Sequence, residues 1–293
     1  MSESKAAPGK KVAIVGFTAS KDLAPWDQPG WEIWLCNNLW KLSPPQWDRL
    51  YDLHESEEIV KDREHDAFLR GQTQKHRDGQ KVTLGDRPVY CFEPRKEWPT
   101  AVKFPRDEIT AKLGNYFTNS ISWMIAHALM EIHAGADKQT GQKAQAEYVA
   151  NSEIHVYGVD MATGGEYAAQ RPSCEYLLGI AVGMGIKVYI PPQSDLLKTA
   201  AMYGTGGDTP LRAKMEERKT ELQARKSAIE NQLAQFQTQL AQIVGALETT
   251  NYIIDVWTTP RAVSRHGGDD GAPPEEVAEA AVEEAQSKVE VPA

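Results

Sequence analysis

Residues 11–17 read KVAIVGF, a short continuous apolar run that is rich in β-branched side chains and ends at Gly16. Such a run is typical of a buried strand in a parallel sheet, because helices cover both faces of that sheet. Five further segments share this strand-like character: 31–38, 50–55, 87–93, 153–161 and 186–192. We therefore expect a sheet of at least six strands.

Helical periodicity separates the later strands. Residues 116–134 place apolar side chains three and four positions apart, which predicts a helix capped by Thr118, Asn119 or Ser120. Residues 175–185 predict a second, apolar helix that ends with glycines. Strands that alternate with helices in this way predict an α/β fold with a doubly wound, mostly parallel, Rossmann-like sheet.

Composition divides the chain into regions. The start is polar, the middle carries the strands, and the end is rich in Pro, Ala, Glu and Gly without periodicity. We expect the Pro-rich segment 94–105 to be irregular and the polar, Gln- and Ala-rich segment 135–152 to be an excursion from the core. The predicted regions are a flexible leader (1–10), a Rossmann-like nucleotide-binding domain (11–203), a long heptad helix (204–257) and a disordered acidic tail (258–293).

The long helix is predicted to begin with Pro210 at its first position, after a Gly-rich linker. Its apolar residues alternate at three- and four-residue spacing, which is typical of a coiled coil. Two interpretations stay open: residues 211–247 join copies of the chain into a homo-oligomer, or the helix packs on its own domain. Residues 251–257 either close the helix against the core or add an edge strand.

Bulk properties exclude several classes of protein. The formal net charge is −9 and the pI about 5.4, so general nucleic-acid binding is not expected. The three cysteines are widely spaced, which fits a reducing compartment without a disulfide framework or zinc site. We find no signal-like leader and no apolar run long enough to span a membrane, and expect a cytoplasmic protein.

Polar residues follow the first two predicted strands. In an open α/β sheet, ligands bind beyond the carboxyl ends of the strands. Gly16, Thr18 and Ser20 form a turn suited to phosphate or ribose, and Asn37 and Asn38 offer amides for a base or sugar. The turn matches neither the dinucleotide fingerprint nor the Walker loop. Ordinary turns that use these residues for backbone geometry are the alternative.

A histidine ends the third predicted strand. His54 follows Asp52 closely, so a carboxylate is available to orient it as a general base. The alternative is an ordinary surface histidine. His65 and His76 lie in a charged segment and are expected to be solvent-exposed. No histidine pair has a recognised metal-ligand spacing, so we predict no metal site.

Three further features are candidates for ligand binding. Thr118, Asn119 and Ser120 stand at a predicted helix N-terminus, where backbone N–H groups attract phosphate. Asp160 ends another strand, and Arg171 follows in a polar segment, where its guanidinium is able to clamp a phosphate or carboxylate. Plain helix capping and a salt-bridged surface loop are the alternatives.

The order of these motifs resembles a glycosyltransferase superfamily that includes the single-Rossmann bacterial sialyltransferases and the DUF115-like proteins. The resemblance spans residues 11–192. Its members carry a Gly-rich turn after the first strand, a Cys-Asn pair after the second, a Thr-Ser-Gly turn opening a helix and a Gly-Ile-Asp strand end. The matching stretches here are Gly16–Ser20, Cys36-Asn37, Thr118–Ser120 and Gly158–Asp160.

The resemblance implies a nucleotide-sugar donor and metal-independent transfer, with tyrosine hydroxyls near the donor phosphate. Tyr167 is the matching candidate for that tyrosine. The chain departs from the family in lacking Pro in the first turn and in lacking a histidine between Asp160 and His266, so His54 is the candidate substitute for the family's base. The implied pocket residues are Ser20, Asn37, Asn119 or Ser120, and Asp160.

Two other functions stay open at this stage. One is a non-enzymatic assembly protein that uses the Rossmann domain as a scaffold and the heptad helix to join subunits. A Rossmann core, heptad helix and charged tail together also resemble proteins of tailed bacteriophages, which implies host cytoplasm for an enzyme and the virion for an assembly protein. The other is a nucleotide-processing enzyme. The acceptor stays open, a modified nucleic acid included.

Overall fold

The computed structural model contains a main sheet of seven strands, all paired in parallel. A buried apolar cluster with its own helices lies against each face of the sheet. The predicted doubly wound α/β fold is confirmed. The predicted leader and tail fall largely outside the described residues, which are 8–75, 79–161, 165–199, 201–204 and 209–258, without the side chains of 165–168, 210, 257 and 258.

The main sheet contains the six predicted strands and one addition, β7, and the two-residue strands β4 and β5 were not predicted either. The main sheet has the order β7-β6-β3-β2-β1-β8-β9, and β4 pairs with β5 in a separate antiparallel ribbon. The segment 94–105, expected to be irregular, supplies the edge strand β7. The strands are β1 (Lys11–Val15), β2 (Trp31–Cys36), β3 (Arg49–Tyr51), β4 (Gln74–Lys75), β5 (Lys81–Val82), β6 (Val89–Cys91), β7 (Ala101–Lys103), β8 (Glu153–Tyr157) and β9 (Lys187–Tyr189).

The helices include one that the sequence analysis did not predict, α5. The segment 135–152 is largely helical, because its Gln and Ala residues favour helix even without a strong apolar stripe. The helices are α1 (Ser56–Ile59), α2 (Arg63–Leu69), α3 (Arg106–Leu113), α4 (Ser120–Asp137), α5 (Gln142–Ala150), α6 (Gly165–Gly183) and α7 (Pro210–Ile253). Short 3-10 turns cover Ala19–Leu23 and Leu39–Leu42.

The central strand β1 explains why its sequence is apolar throughout. Val12 and Ile14 belong to the cluster formed with α3, α4 and α6. Ala13 and Val15 belong to the opposite cluster, which contains Trp40 and other aromatic side chains. Because consecutive side chains on a strand point to opposite faces, a strand buried on both faces reads as one continuous apolar run.

The chain divides into two compact units, residues 1–217 and 218–293. As predicted, α7 begins at Pro210, and Leu211 in its first turn is buried. In the second unit α7 runs to Ile253 and is followed by one π-helical turn, Ile254–Thr258. Residues 251–257 are therefore helical and add no strand. None of the helices described is long and apolar enough to cross a lipid bilayer.

Candidate functional site

A cavity of about 630 Å³ opens at the carboxyl ends of β1, β2, β3 and β8. Strand β1 has β2 on one side and β8 on the other, so the chain turns away in different directions after β1 and β8. This change of direction produces the crevice in which open α/β sheets bind ligands. The predicted site residues that line the cavity are Gly16, Thr18, Asn37, His54, Thr118, Asn119, Ser120 and Asp160.

Two glycines form the floor of the crevice. The backbones of Gly16 and Gly158 pass so close that a Cβ on either residue would overlap the carbonyl oxygen of the other. Gly158 also has a φ of +63°, which favours glycine. Thr18 N–H donates to the Gly158 carbonyl at 2.9 Å, and Ser20 Oγ accepts the Gly158 N–H at 2.8 Å. Ser20 therefore holds this turn from behind.

Two oxygens in the cavity wall have no hydrogen-bond partner among the described residues: Thr18 Oγ1 and Asn37 Oδ1. Both are buried, and a buried polar atom without a partner costs about 1–3 kcal/mol. Asn37 also has a φ of +51°, a left-handed conformation that asparagine tolerates better than most residues. Both residues line the same cavity, so rotation of either side chain would bring its oxygen to a ligand that donates a hydrogen bond.

The N-terminus of α4 forms another wall. Asn119 caps the helix, because its Oδ1 accepts the Ser122 N–H at 2.8 Å. Asn119 Nδ2 also donates to the Gln170 carbonyl of α6 at 3.0 Å, and Thr118 Oγ1 lies 2.6 Å from Ser173 Oγ. The bonds to Gln170 and Ser173 fix α4 to α6. Asn119 thus has the predicted capping role, and the N-terminus of α4 also lies at the cavity.

A chain of hydrogen bonds runs from the protein interior to His54. Trp40 Nε1 donates to His65 Nδ1 at 2.7 Å. His65 Nε2 lies 2.8 Å from Asp52 Oδ2, and Asp52 Oδ1 lies 2.6 Å from His54 Nδ1. An indole N–H only donates, so His65 Nδ1 accepts and its Nε2–H donates to Asp52. Asp52 in turn accepts from His54 Nδ1–H, which leaves a lone pair on Nε2 of neutral His54.

The electrostatics agree with this assignment. Burial alone would raise the pKa of Asp52, but hydrogen bonds from His54 and His65 outweigh burial and lower it to about 2. The hydrogen bond to Asp52 raises the pKa of His54, with burial opposing the shift. An ionised Asp52 thus holds the ring of His54 in place and stabilises its protonated form, as a general base requires.

The expectation that His65 is exposed was wrong. His65 is 2% exposed and is packed with Phe68 and Leu69 of α2, which are fully buried. The three residues lie at positions i, i+3 and i+4, so they share one face of the helix. That spacing was the available signal, and the surrounding charges obscured it. His76 lies outside the described residues.

The Cys36 thiol also lines the cavity. Burial, reinforced by the charge of Asp52, raises its pKa to about 12. A thiol with such a pKa is protonated near neutral pH and is a poor nucleophile. Across the described part of the chain, no cluster of three or more His, Cys, Asp or Glu side chains is arranged to hold a metal ion.

Asp160 lies on the cavity wall beside a lysine. Lys214 Nζ is 3.4 Å from Asp160 Oδ1 and 2.9 Å from Asp195 Oδ1. Lys214 also donates to the Gln193 carbonyl. Lys214 thus pairs with two carboxylates, of which Asp195 is fully buried. Asp160 retains acceptor capacity for a ligand hydroxyl.

Aromatic side chains complete the cavity, and the sequence did not single them out as site residues. The rings of Phe117 and Trp123 are stacked with centroids 3.7 Å apart, and both line the cavity together with Phe17. Phe17 is an exposed aromatic residue. Such surfaces suit contact with a planar base or with the apolar face of a sugar.

The remaining predicted residues lie elsewhere or are not described. Asn38 and Arg171 do not line the cavity. Asn38 precedes a 3-10 turn without capping it through its side chain. Arg171 Nε pairs with Glu175 at 2.7 Å, and its guanidinium donates to the Lys198 carbonyl. Tyr167 belongs to the first turn of α6, but its side chain lies outside the described part of the structure.

Comparison with known proteins gives only a distant likeness. No family model and no curated protein matches the chain. The sialyltransferase CST-II in complex with a trisaccharide acceptor and CMP is 13% identical, with a TM-score of 0.35 over 63% of this chain and 82% of that chain. CstII from Campylobacter jejuni with the substrate analogue cytidine-5'-monophosphate is 12% identical, with a TM-score of 0.35 over 64% and 82%.

Proposed function

We propose that the cavity binds a nucleotide or nucleotide-sugar and that the protein transfers the sugar to an acceptor hydroxyl. The observation that carries this proposal is the hydrogen-bonded His54–Asp52 pair, whose histidine lies in the cavity wall. A histidine oriented by an ionised carboxylate activates a hydroxyl group, and the position of His54 in the wall of a crevice of about 630 Å³ supports this role.

The cavity wall offers different groups to different parts of such a ligand. Thr18 Oγ1 and Asn37 Oδ1 are unpartnered acceptors for a base or ribose. The N-terminus of α4, with Ser120 at its first position, suits the phosphate. Asp160 is suited to accept a hydrogen bond from a sugar hydroxyl. We assign the base to the side of the stacked Phe117 ring.

In the proposed reaction, the acceptor oxygen attacks the anomeric carbon while its proton moves to His54 Nε2. The bond from that carbon to the donor phosphate breaks, and the phosphate leaves with the electron pair. Asp52 stabilises the imidazolium that forms, and the α4 N-terminus stabilises the leaving phosphate. In keeping with the family resemblance, the transfer is metal-independent, and Tyr167 is the candidate for the family's tyrosine. The acceptor class, modified nucleic acid included, stays open.

A thermal-shift panel tests the binding step. The panel contains nucleoside diphosphates, cytidine monophosphate, common nucleotide-sugars and nicotinamide dinucleotides. A ligand that binds only the folded state raises its stability by mass action, so we expect a shift with one nucleotide family. No shift with any member would overturn the proposed pocket.

Adjacent asparagines supply a matched pair of variants for this test. Asn37→Gly keeps the positive φ and removes the amide from the cavity wall, so we expect binding to weaken roughly tenfold. Asn38→Gly removes an amide outside the cavity and should leave affinity unchanged. Equal affinities for the two variants would exclude the amide of Asn37 from the site.

A second variant separates binding from transfer. We expect His54→Gln to retain the nucleotide-induced shift but to lower transfer by roughly 10²–10⁴-fold. The control is His133→Gln, which replaces an exposed histidine on α4 and should leave both properties intact. Full transfer activity in His54→Gln would exclude His54 as the base.

A second candidate function is assembly, either of an oligomer or as part of a virion. The observation that favours it is the row of exposed apolar side chains along α7. In this reading the α/β unit is a retained scaffold. Absence of any nucleotide effect together with self-association of the chain would support assembly over transfer.

A further inference from the structure

The apolar row on α7 lies open to solvent in the single chain. We call it the α7 seam; every member is between 46% and 65% exposed. Side chains of this size rarely form a continuous exposed row unless a partner covers them. The seam consists of Leu222, Ile229, Leu233, Phe236, Leu240, Ile243 and Leu247.

The helix that carries the seam has little support of its own. Residues 231–247 contain no Asp, Glu, Lys or Arg. Ion pairs between side chains of one helix are therefore lacking over almost five turns. A single helix of this composition is marginal in water, and most helical stability in proteins comes from packing an apolar face. The chemistry of the seam therefore calls for an apolar partner surface.

The spacing of the seam identifies another copy of α7 as that surface. From Ile229 onward the apolar residues alternate at intervals of four and three, which defines the a and d positions of a heptad. At the amino end, the a positions carry Lys219 and Lys226, so the continuous seam begins at Ile229. Leucine occupies a at 233, 240 and 247, and isoleucine or phenylalanine occupies d at 229, 236 and 243.

The identities at a and d set the number of copies. β-branched residues at a with leucine at d favour two strands, whereas leucine at a with isoleucine at d favours three or four. Two flanking positions agree, since Val244 at e and Ile253 at g are apolar and exposed. Bundles of more than two helices bury more of the e and g positions than pairs do, so apolar residues are suited to them there.

The charges flanking the seam favour a parallel arrangement. Arg225 occupies a g position and Glu230 the e position of the next heptad. In a parallel, in-register bundle these residues face each other on neighbouring helices and carry opposite charges. Glu230 also pairs with Lys226 of its own helix at 3.6 Å, which offsets the repulsion between lysines at the a position. An antiparallel pairing of the same seam brings Arg225 near residue 258 instead.

We infer that α7 joins three or four copies of this chain in a parallel, in-register bundle along residues 229–254. The inference does not depend on nucleotide binding. The mass of the full chain by light scattering should be three or four times 32.5 kDa. A monomer or a dimer at micromolar concentration would overturn it.

Two sets of variants test the role of the seam. Leu240→Glu introduces a charge at the centre of the seam, and we expect it to give monomers; Gln242→Glu adds the same charge on the outer face and should keep the full mass. Exchanging the residue types, with isoleucine at 233, 240 and 247 and leucine at 229, 236 and 243, should shift the mass to that of a dimer. An exchanged chain that keeps the wild-type mass would refute the role of the a and d identities.

Cross-linking tests the orientation. Thr250 occupies a d position, so a parallel bundle places its copies side by side. An antiparallel bundle separates these copies by about 25 Å. We expect Thr250→Cys to cross-link with a short bis-maleimide and Gln242→Cys, on the outer face, to react without cross-linking. The three native cysteines are buried and do not compete. Failure of Thr250→Cys to cross-link, in a chain of full oligomeric mass, would overturn the parallel arrangement.

Discussion

Asp52 Oδ2 and His65 Nε2 lie 2.8 Å apart, and both side chains are almost completely buried. This bond joins His65 of α2 to Asp52, which directly follows β3, in the protein interior. Because the other oxygen of Asp52 bonds to His54, the bond to His65 links the ring of His54, which lines the cavity, to the buried core. The orientation of His54 thus depends on residues that do not line the cavity.

Replacing Asp52 by Asn should lower the pKa of His54. The carboxylate favours the protonated ring in the wild type, so without it the neutral, proton-accepting form appears at lower pH. A histidine NMR titration measures the change directly, and any pH–rate profile should extend to lower pH. The control is Asp137→Asn, which removes a carboxylate next to the exposed His133 and should leave the pKa of His54 unchanged. An unchanged pKa of His54 in Asp52→Asn would contradict the assignment.

Replacing Trp40 by Phe should remove one hydrogen bond while leaving the ring stacked on Phe68, whose centroid lies 3.8 Å away. His65 Nδ1 then lacks its donor. We expect the free energy of unfolding, measured in urea, to fall by about 1–3 kcal/mol. The control is Trp98→Phe, which removes a comparable bond to Asp66. Only the Trp40 variant should change the ring signals of His65; equal effects on those signals would argue against the chain of bonds.

The fold was predictable because the strands of a doubly wound sheet are buried on both faces. Each such strand consists of consecutive apolar residues, as in 11–17, so the local sequence is enough to recognise it. The edge strand β7 carries no such run: Val102 and Lys103 are exposed. Its strand character comes from pairing with β6, which a local pattern does not reveal.

The candidate site was predictable where it follows directly from strand ends or from the helix cap at 118–120. Asn37, His54 and Asp160 each follow a recognisable strand, and parallel strands bring their carboxyl ends to one edge of the sheet. His65 and Trp40 reach the site through packing between elements distant in sequence. They help to position His54 through tertiary contacts between residues far apart in sequence, and no local sequence pattern indicates such contacts.

Replacing Gly158 by Ala should be severely destabilising. The new Cβ would overlap the carbonyl of Gly16, and the residue has a positive φ, so we expect a loss of at least about 2–3 kcal/mol. The control is Gly179→Ala within α6, where a Cβ meets open space. This substitution should stabilise the helix by about 0.5–1 kcal/mol. Urea unfolding of both variants checks the contrast, and equal stabilities would contradict it.

Replacing Thr18 by Val should separate stability from binding. The unpartnered Oγ1 becomes a methyl group of similar size, so we expect unfolding free energy to stay level or rise by about 1 kcal/mol. Nucleotide-induced stabilisation should fall, because a ligand loses its acceptor. Thr110→Val, whose hydroxyl bonds a backbone carbonyl on the surface of α3, should leave the ligand effect unchanged. A Thr18→Val protein that is much less stable would mean that the hydroxyl has a structural partner.

Stability should fall between pH 6.5 and pH 4 because of His127. Burial, partly opposed by Glu131, lowers the pKa of His127 from 6.5 to about 4. As the pH falls through this window the unfolded chain binds a proton that the folded chain does not, so folding loses up to about 3 kcal/mol. His127→Asn keeps a polar partner for the Tyr51 hydroxyl, which lies 2.9 Å from Nδ1, and should flatten this part of the profile. Urea unfolding at several pH values gives the difference in unfolding free energy between His127→Asn and the wild type. This difference removes the contribution of the other histidines, which both proteins share. The exposed His133→Asn is the control, and a wild-type slope in His127→Asn would show that another group titrates here.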